Sequence, residues 1–176
     1  MLGCVFPDIR RIDENIKRKE THLCHEVLDL NFDNLSSFEA GWKFHLYCDM
    51  KREEILTKHD FYSIDNAGDF AGTANKLLED ELLYDYYNNW EKLVLYFNNV
   101  PQIKLGINVS RETFEFWYAI IARYLEKKPD NKTMHVVLSK QPTLVAKADG
   151  IIDAVSKLRE DKKAVEILRK VAEEII

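Results

Sequence analysis

The sequence predicts an all-helical protein with a single domain. Its 176 residues are enough for one hydrophobic core, and 46% of them are hydrophobic while 31% are charged. Only six glycines and four prolines are present, whereas an all-β protein needs frequent turns. The apolar residues instead recur at spacings of three and four, which is the period of an α-helix. We therefore expect a helical bundle over residues 1–176.

Two long helices are predicted in the first hundred residues. The first begins at Ser36 or Ser37, because serine is a good N-cap. One face of this helix contains the following residues: Phe38, Gly41, Trp42, His45 and Asp49. The second helix is expected over about residues 73–98, with Asp85 among the apolar residues of its inner face.

A third helix is predicted to start after Ser110 and to end before Pro129, since proline cannot continue a helix. Residues 129–143 have the composition of a linker, in which 134–138 could form a short strand. Residues 143–176 are expected to be a helical extension, with two amphipathic segments joined by the charged residues 159–163. Any apolar surface left on this extension could form a homodimer.

The first thirty residues have a weaker pattern than the rest. Residues 3–12 are interpreted as a loop fixed by Pro7, and residues 16–30 are compatible with a helix.

Composition also narrows the choice of compartment and partners. The net charge of −5 gives no reason to expect a stable nucleic-acid complex, although a local basic pocket could still attract a phosphate. The N-terminus does not have the pattern of a secretory signal, and no apolar run is long enough to span a membrane. The three cysteines do not form a disulfide framework. We therefore expect a cytoplasmic protein.

The strongest chemical signal is a histidine and an aspartate one turn apart. His45 and Asp49 lie at positions i and i+4 of the predicted helix, on the same face as Trp42. A carboxylate on an apolar face needs a partner, because removing its water costs several kcal/mol. Both residue types bind zinc, but an ion pair at the surface or a core histidine would explain the same spacing.

A longer pattern favours the metal. Gly-x-x-x-Pro-Asp is followed by a histidine and then by Gly-x-x-x-His-x-x-x-Asp, and this order resembles the zinc-dependent phospholipase C family. The residues that carry the resemblance lie within about residues 2–60 and are Gly3, Pro7, Asp8, His22, Gly41, His45 and Asp49. The resemblance implies an all-helical fold related to the single-strand zinc nucleases.

The resemblance also implies roles for particular residues. Asp8, His22, His45 and Asp49 would be ligands of one zinc ion, and Asp8 would also position or deprotonate the attacking water. The tyrosine-rich segment around Asp85 is similar to a later family segment, so Asp85 is a candidate fifth ligand; it could equally be a cap or a partner of a neighbouring charge.

Other histidines are weaker candidates. His25, at i+3 from His22, is interpreted as a further ligand, a hydrogen-bond donor to a ligand, or an exposed helix histidine. His59 could hold a second ion but fits a loop histidine better, and His135 is interpreted as structural. No His-x-x-x-Glu follows Asp49, although the larger family members use one for additional zinc. We therefore expect one or two zinc ions rather than three.

Three functional hypotheses follow. The first is a metal-dependent phosphoesterase-like hydrolase, which would cleave a small soluble phosphoester through a metal-bound water. The second is a catalytically reduced protein that keeps a structural or sensory metal. The third is a metal-free helical interaction protein, in which the histidine and the carboxylate only satisfy each other.

Overall fold

The structure is a computed structural model, and it confirms an all-helical single domain. It describes residues 1–22, 28–64, 68–101, 103 and 106–175, and no β-strand occurs within these ranges. The α-helices are α1 Leu2–Val5, α2 Arg18–Thr21, α3 Ser37–Lys58, α4 Ala71–Leu83, α5 Trp90–Asn98, α6 Arg111–Leu125, α7 Asn131–Ser139, α8 Ala148–Glu160 and α9 Lys162–Glu174. None of these described helices is both long and apolar enough to cross a membrane.

The predicted starts of two helices are confirmed. At α3, the Ser36 hydroxyl accepts a hydrogen bond from the Glu39 amide at 3.3 Å, and the Glu39 carboxylate accepts one from the Ser36 amide at 2.9 Å. This reciprocal pair is a capping box, which satisfies two amides that the helix leaves free. At α6, Ser110 accepts from the Thr113 amide at 3.0 Å.

The long helix predicted over residues 73–98 is wrong. The chain forms α4, then a 3-10 turn at Tyr84–Tyr86, and then α5. Trp90 stacks on Tyr84 with ring centroids 4.5 Å apart, and its indole nitrogen donates to the Tyr84 carbonyl at 2.9 Å. These contacts stabilise the corner, because they replace a backbone hydrogen bond that a continuous helix would make. The break moves Asp85 away from the inner face on which it was predicted.

Two segments that were not expected to be helical are helical. Residues 134–138 belong to α7, because Asp130 caps its first turn and Met134, Val137 and Leu138 are buried at helical spacing. Residues 129–143 are therefore not a linker. The predicted loop over residues 3–12 is α1 followed by a 3-10 helix over Phe6–Arg11.

The second N-terminal segment is only partly described. Within the expected helix over residues 16–30, the described residues form α2 over Arg18–Thr21, and residues 23–27 lie outside the described ranges.

The two C-terminal helices were predicted correctly, but the charged link between them is shorter than expected. Only Asp161 separates α8 from α9, and its side chain caps α9 by accepting from the Ala164 amide at 3.0 Å. The apolar faces of both helices pack against α4, and α9 also contacts α3. Because the apolar faces of α8 and α9 are buried inside the domain, the C-terminal segment belongs to the core. A homodimer through this segment stays a prediction.

A close crossing fixes the N-terminus against α3. A Cβ atom on Gly3 would lie 1.9 Å from the Phe38 carbonyl oxygen and 2.7 Å from the Trp42 amide nitrogen. Helix α6 holds the same segment from the other side, where Tyr118 donates to the Leu2 carbonyl at 2.8 Å and Trp117 donates to the Val5 carbonyl at 2.9 Å. The first helix is therefore clamped between α3 and α6.

Replacing Gly3 with alanine should destabilise the protein by about 1–3 kcal/mol or more, because the new methyl group would meet backbone atoms that cannot rotate away. Gly106→Ala is the matched control, since a Cβ there meets no atom within 4 Å. Urea unfolding of the two variants measures the difference. Equal unfolding midpoints would contradict the close crossing.

Candidate metal centre

Three of the predicted ligands meet in the structure. His22, His45 and Asp49 offer ligand atoms that all lie within 4.8 Å of one another. The Asp49 Oδ2 atom is 3.5 Å from Nε2 of His45 and 3.9 Å from Nε2 of His22. The two imidazole rings meet edge to face with their centroids 5.6 Å apart. One carboxylate oxygen and two ring nitrogens therefore converge on one point.

The orientation of His45 is set by the N-terminal helix. Its Nδ1 atom donates a hydrogen bond to the Cys4 carbonyl at 2.8 Å. In the neutral ring, this bond leaves the lone pair on Nε2, which faces Asp49. Nε2 is buried and makes no well-formed hydrogen bond with any described residue, since Asp49 Oδ2 lies 3.5 Å away. Metal-binding histidines are commonly held in this way, with one nitrogen donating to a carbonyl and the other free for the ion.

His22 is held by a second set of contacts. Trp42 on α3 donates to the Thr21 carbonyl at 2.6 Å, which fixes the end of α2 against α3. The Thr21 hydroxyl lies 3.0 Å from Nδ1 of His22. Burial and the nearby Arg18 guanidinium lower the pKa of His22 from 6.5 to about 4. His22 is therefore neutral at physiological pH, which is the form that binds a metal.

Asp49 is shared between the two histidines and a lysine. Its Oδ1 atom accepts a hydrogen bond from Lys76 on α4 at 2.6 Å, while Oδ2 faces the histidines. Burial opposes ionisation, but the His45 ring and the Lys76 ammonium outweigh it and hold the pKa of Asp49 below its usual value. Asp49 is therefore a carboxylate over the whole neutral range.

Asp8 lies beside this group but is not one of the three converging residues. Its Oδ1 atom accepts a hydrogen bond from Arg11 Nε at 2.9 Å, and Arg10 lies 3.8 Å from the same oxygen. Burial opposes ionisation of Asp8, but Arg11, His45 and Lys76 outweigh it and lower its pKa. Asp8 and Asp49 line the same cleft.

The weaker candidates are separate from the centre or outside the described residues. Asp85 lies on the exposed turn between α4 and α5, where it pairs with Lys128 and its side chain is 68% exposed. The structure therefore does not bring Asp85 to the three converging residues. His25 lies outside the described residues. His59 pairs with Glu174 at 2.9 Å, and His135 pairs with Asp149 at 3.0 Å.

An open cleft of about 590 Å³ adjoins the group, and cationic side chains dominate it. Its basic lining residues are Arg10, Arg11, Arg18, Arg52 and Lys76, and its acidic ones are Asp8, Asp49 and Glu53. The cleft is therefore positive in a protein whose net charge is −5. Sequence reasoning missed this set, because the five basic residues are spread over 67 positions and no motif connects them.

A buried ion pair ties the two helices that carry the cleft. Arg52 on α3 donates to Glu79 on α4 at 2.7 Å, and both side chains are nearly inaccessible to water. This pair lies close in sequence to Asp49 and Lys76, which form the second link between the same helices. The relative position of α3 and α4 is therefore set by one link at the candidate ligand itself and by a second link three residues further along each helix.

The donor set fits zinc. Two neutral imidazole nitrogens and a carboxylate oxygen are the ligands of many catalytic zinc ions, and a three-residue set leaves coordination positions open. The buried, unpartnered Nε2 of His45 is the specific feature that an ion would satisfy.

Comparisons with protein-family models, curated proteins and solved structures found no match. Function is therefore inferred from the chemistry of the site, together with the motif resemblance.

Acid should destabilise the metal-free protein partly through His22. The pKa of His22 is about 4 in the folded chain and 6.5 in an unfolded one. As the pH falls below 6.5, the unfolded chain binds the proton first, so stability is lost between about pH 6.5 and pH 4. Thermal melts of EDTA-treated protein at pH 7 and pH 5 should show a smaller loss for His22→Asn than for wild type. His135→Asn should follow wild type, and parallel curves for all three would contradict the neutral buried state.

Proposed function

We propose that this protein is a metal-dependent phosphoesterase-like hydrolase, which binds one zinc ion and cleaves a soluble phosphoester. The observation that carries the proposal is the position of His45. Its Nδ1 atom is fixed on the Cys4 carbonyl, while the buried Nε2 atom faces His22 and lies 3.5 Å from Asp49 Oδ2, without a well-formed hydrogen bond among the described residues. A core histidine with no ligand to bind would normally satisfy both ring nitrogens.

The motif resemblance supports the same proposal. The zinc-dependent phospholipase C pattern includes His22, His45 and Asp49, and the ligand atoms of these residues lie within 4.8 Å of one another, which would allow them to share one ion. The pattern also implies an all-helical fold, which agrees with the helical class of the described residues. That this chain has the particular fold of the zinc-dependent phospholipase C family is part of the proposal.

His22, His45 and Asp49 would hold the ion. A bound zinc ion supplies a water of lowered pKa and polarises a phosphoryl oxygen. Lys76 keeps the second oxygen of Asp49 occupied at 2.6 Å, so that Asp49 presents one oxygen to the site. Arg11 keeps one oxygen of Asp8 occupied in the same way.

Asp8 is the proposed general base. It is ionised at neutral pH and can accept a hydrogen bond from water in the shared cleft. Because a lowered pKa weakens a base, its contribution lies mainly in orienting that water. Its bond to Arg11 fixes the carboxylate in place, which lowers the entropy cost of orienting a water molecule.

The cleft supports a phosphoester as the substrate. Its excess of arginine and lysine attracts anions, and guanidinium groups bind phosphate oxygens with paired hydrogen bonds. Its volume of about 590 Å³ suits a small molecule. A small-molecule phosphoester is accordingly the proposed partner, and the net negative charge outside the cleft disfavours a long nucleic acid.

A second candidate is a catalytically reduced protein with a structural or sensory metal. The position of Asp8 favours it, because Arg11 and Arg10 both compete for the carboxylate that would have to accept a proton. In this case zinc would bind but phosphoesters would not be cleaved. A metal-free interaction protein is the third candidate, favoured by Lys76, which already balances the charge of Asp49.

Zinc binding can be tested with His45→Ala. Purified wild-type protein should contain about one zinc ion per chain, and the variant should lose the ion together with the stabilisation it gives. At a free zinc concentration of 100 times Kd that stabilisation is about 2.7 kcal/mol. Elemental analysis and thermal melts with and without zinc measure both effects. His135→Ala, which removes a histidine paired with Asp149 instead, should keep its zinc. Equal zinc content in both variants would exclude His45 as a ligand.

Catalysis can be tested with Asp8→Asn. The variant should keep its fold and zinc content but lose at least about 100-fold in kcat toward p-nitrophenyl phosphate and bis(p-nitrophenyl) phosphate, because a general base contributes that much or more. The exposed Asp153→Asn is the control. If zinc-loaded wild-type protein cleaves neither substrate, the catalytically reduced candidate replaces the hydrolase.

A further inference from the structure

Within the described ranges, two arginines of the cleft donate no hydrogen bond to a carboxylate. Among the described residues, Arg11, Arg52 and Lys76 each donate to an acidic side chain at 2.6–2.9 Å. Arg10 makes only a 3.8 Å contact with Asp8, and Arg18 has no ion pair within the described part of the chain. The cleft thus contains two guanidinium groups whose hydrogen-bonding capacity is largely unused.

Arg10 carries the clearest sign of a missing partner. Its Nε atom is buried and finds no hydrogen-bond acceptor among the described residues, although the side chain lines the cleft. A guanidinium presents its donors in a rigid plane that matches two oxygens of a phosphate or carboxylate. A buried donor of this kind costs free energy unless something accepts from it.

Arg18 lines the same cleft as Arg10. It is the first residue of α2, and this helix packs against the 3-10 helix that contains Arg10. His22 lines the same cleft as these two arginines. The pair therefore lies beside the candidate metal centre.

We propose that Arg10 and Arg18 form an anion subsite beside the metal centre, and that this subsite selects a phosphomonoester over a phosphodiester. The inference rests on the proposed function, because it names the substrate class of the same site. A phosphomonoester carries close to two negative charges at neutral pH and has three free oxygens, whereas a diester carries one charge and has two. Two arginines free of hydrogen-bonded carboxylates suit the first group better.

The subsite can be measured without turnover. Isothermal titration calorimetry with inorganic phosphate at pH 7.5 should show binding to the full chain, both as purified and after EDTA treatment. The double variant Arg10→Gln/Arg18→Gln should bind phosphate at least about tenfold more weakly, since each substitution removes a charged hydrogen-bond donor. Lys19→Gln is the matched control, because Lys19 is an exposed cation next to Arg18 that does not line the cleft.

Dimethyl phosphate is the second probe, because it carries the single charge of a diester. Wild-type protein should bind it at least about tenfold more weakly than inorganic phosphate. Equal phosphate affinity in the double variant and in Lys19→Gln would overturn the subsite, and equal affinity for the two probes would overturn the selection of a monoester.

Zinc content and turnover of p-nitrophenyl phosphate, measured on the same preparations, separate this inference from the proposed function. Arginine-dependent phosphate binding without zinc or turnover would refute the hydrolase and leave the subsite. Zinc-dependent turnover together with phosphate binding that is unchanged in the double variant would support the hydrolase and refute the subsite.

Discussion

The candidate site depends on the close crossing of two helices at Gly3 and Gly41. A Cβ on Gly3 would lie 1.9 Å from a backbone oxygen of α3, and one on Gly41 would lie 3.0 Å from the Cys4 amide nitrogen. Because neither residue has a side chain, the backbone of Cys4 comes close enough for its carbonyl to accept from His45 at 2.8 Å. A contact made for packing therefore also sets which ring nitrogen of His45 faces Asp49.

The charges around the candidate metal centre keep His22, Asp8 and Asp49 in the protonation states that suit a metal site. His22 is kept neutral by burial and by Arg18, whereas Asp8 and Asp49 are kept ionised by arginine, histidine and lysine neighbours. Arg11 and Lys76 balance the carboxylates that they hold, so the positive excess of the cleft comes from the remaining basic residues, although the whole chain carries a charge of −5. Some basic residues thus support the ligands, and Arg10 and Arg18 are left to attract an anion.

The accuracy of the sequence predictions depended on whether the signal was local. Ser36 and Ser110 were identified as caps because the hydrogen bonds that they accept lie three residues away. The corner at Tyr84 was missed, because it depends on how Trp90 stacks back on the chain. Consequently Asp85 was assigned to an inner face that does not exist, and it pairs with Lys128 on the surface.

By itself the sequence determined the helical class, the ends of the most regular helices and the pairing of His45 with Asp49, because a helix brings positions i and i+4 together wherever it lies. The motif resemblance predicted that His22 and Asp8 belong to the same site, but only the tertiary structure decided that His22 reaches His45 and Asp49, that Asp8 lies beside them, and that five basic residues line one cleft. Asp8, His22 and Asp49 are far apart in the chain, so they meet only after the helices have packed. No local spacing encodes how that packing will place them.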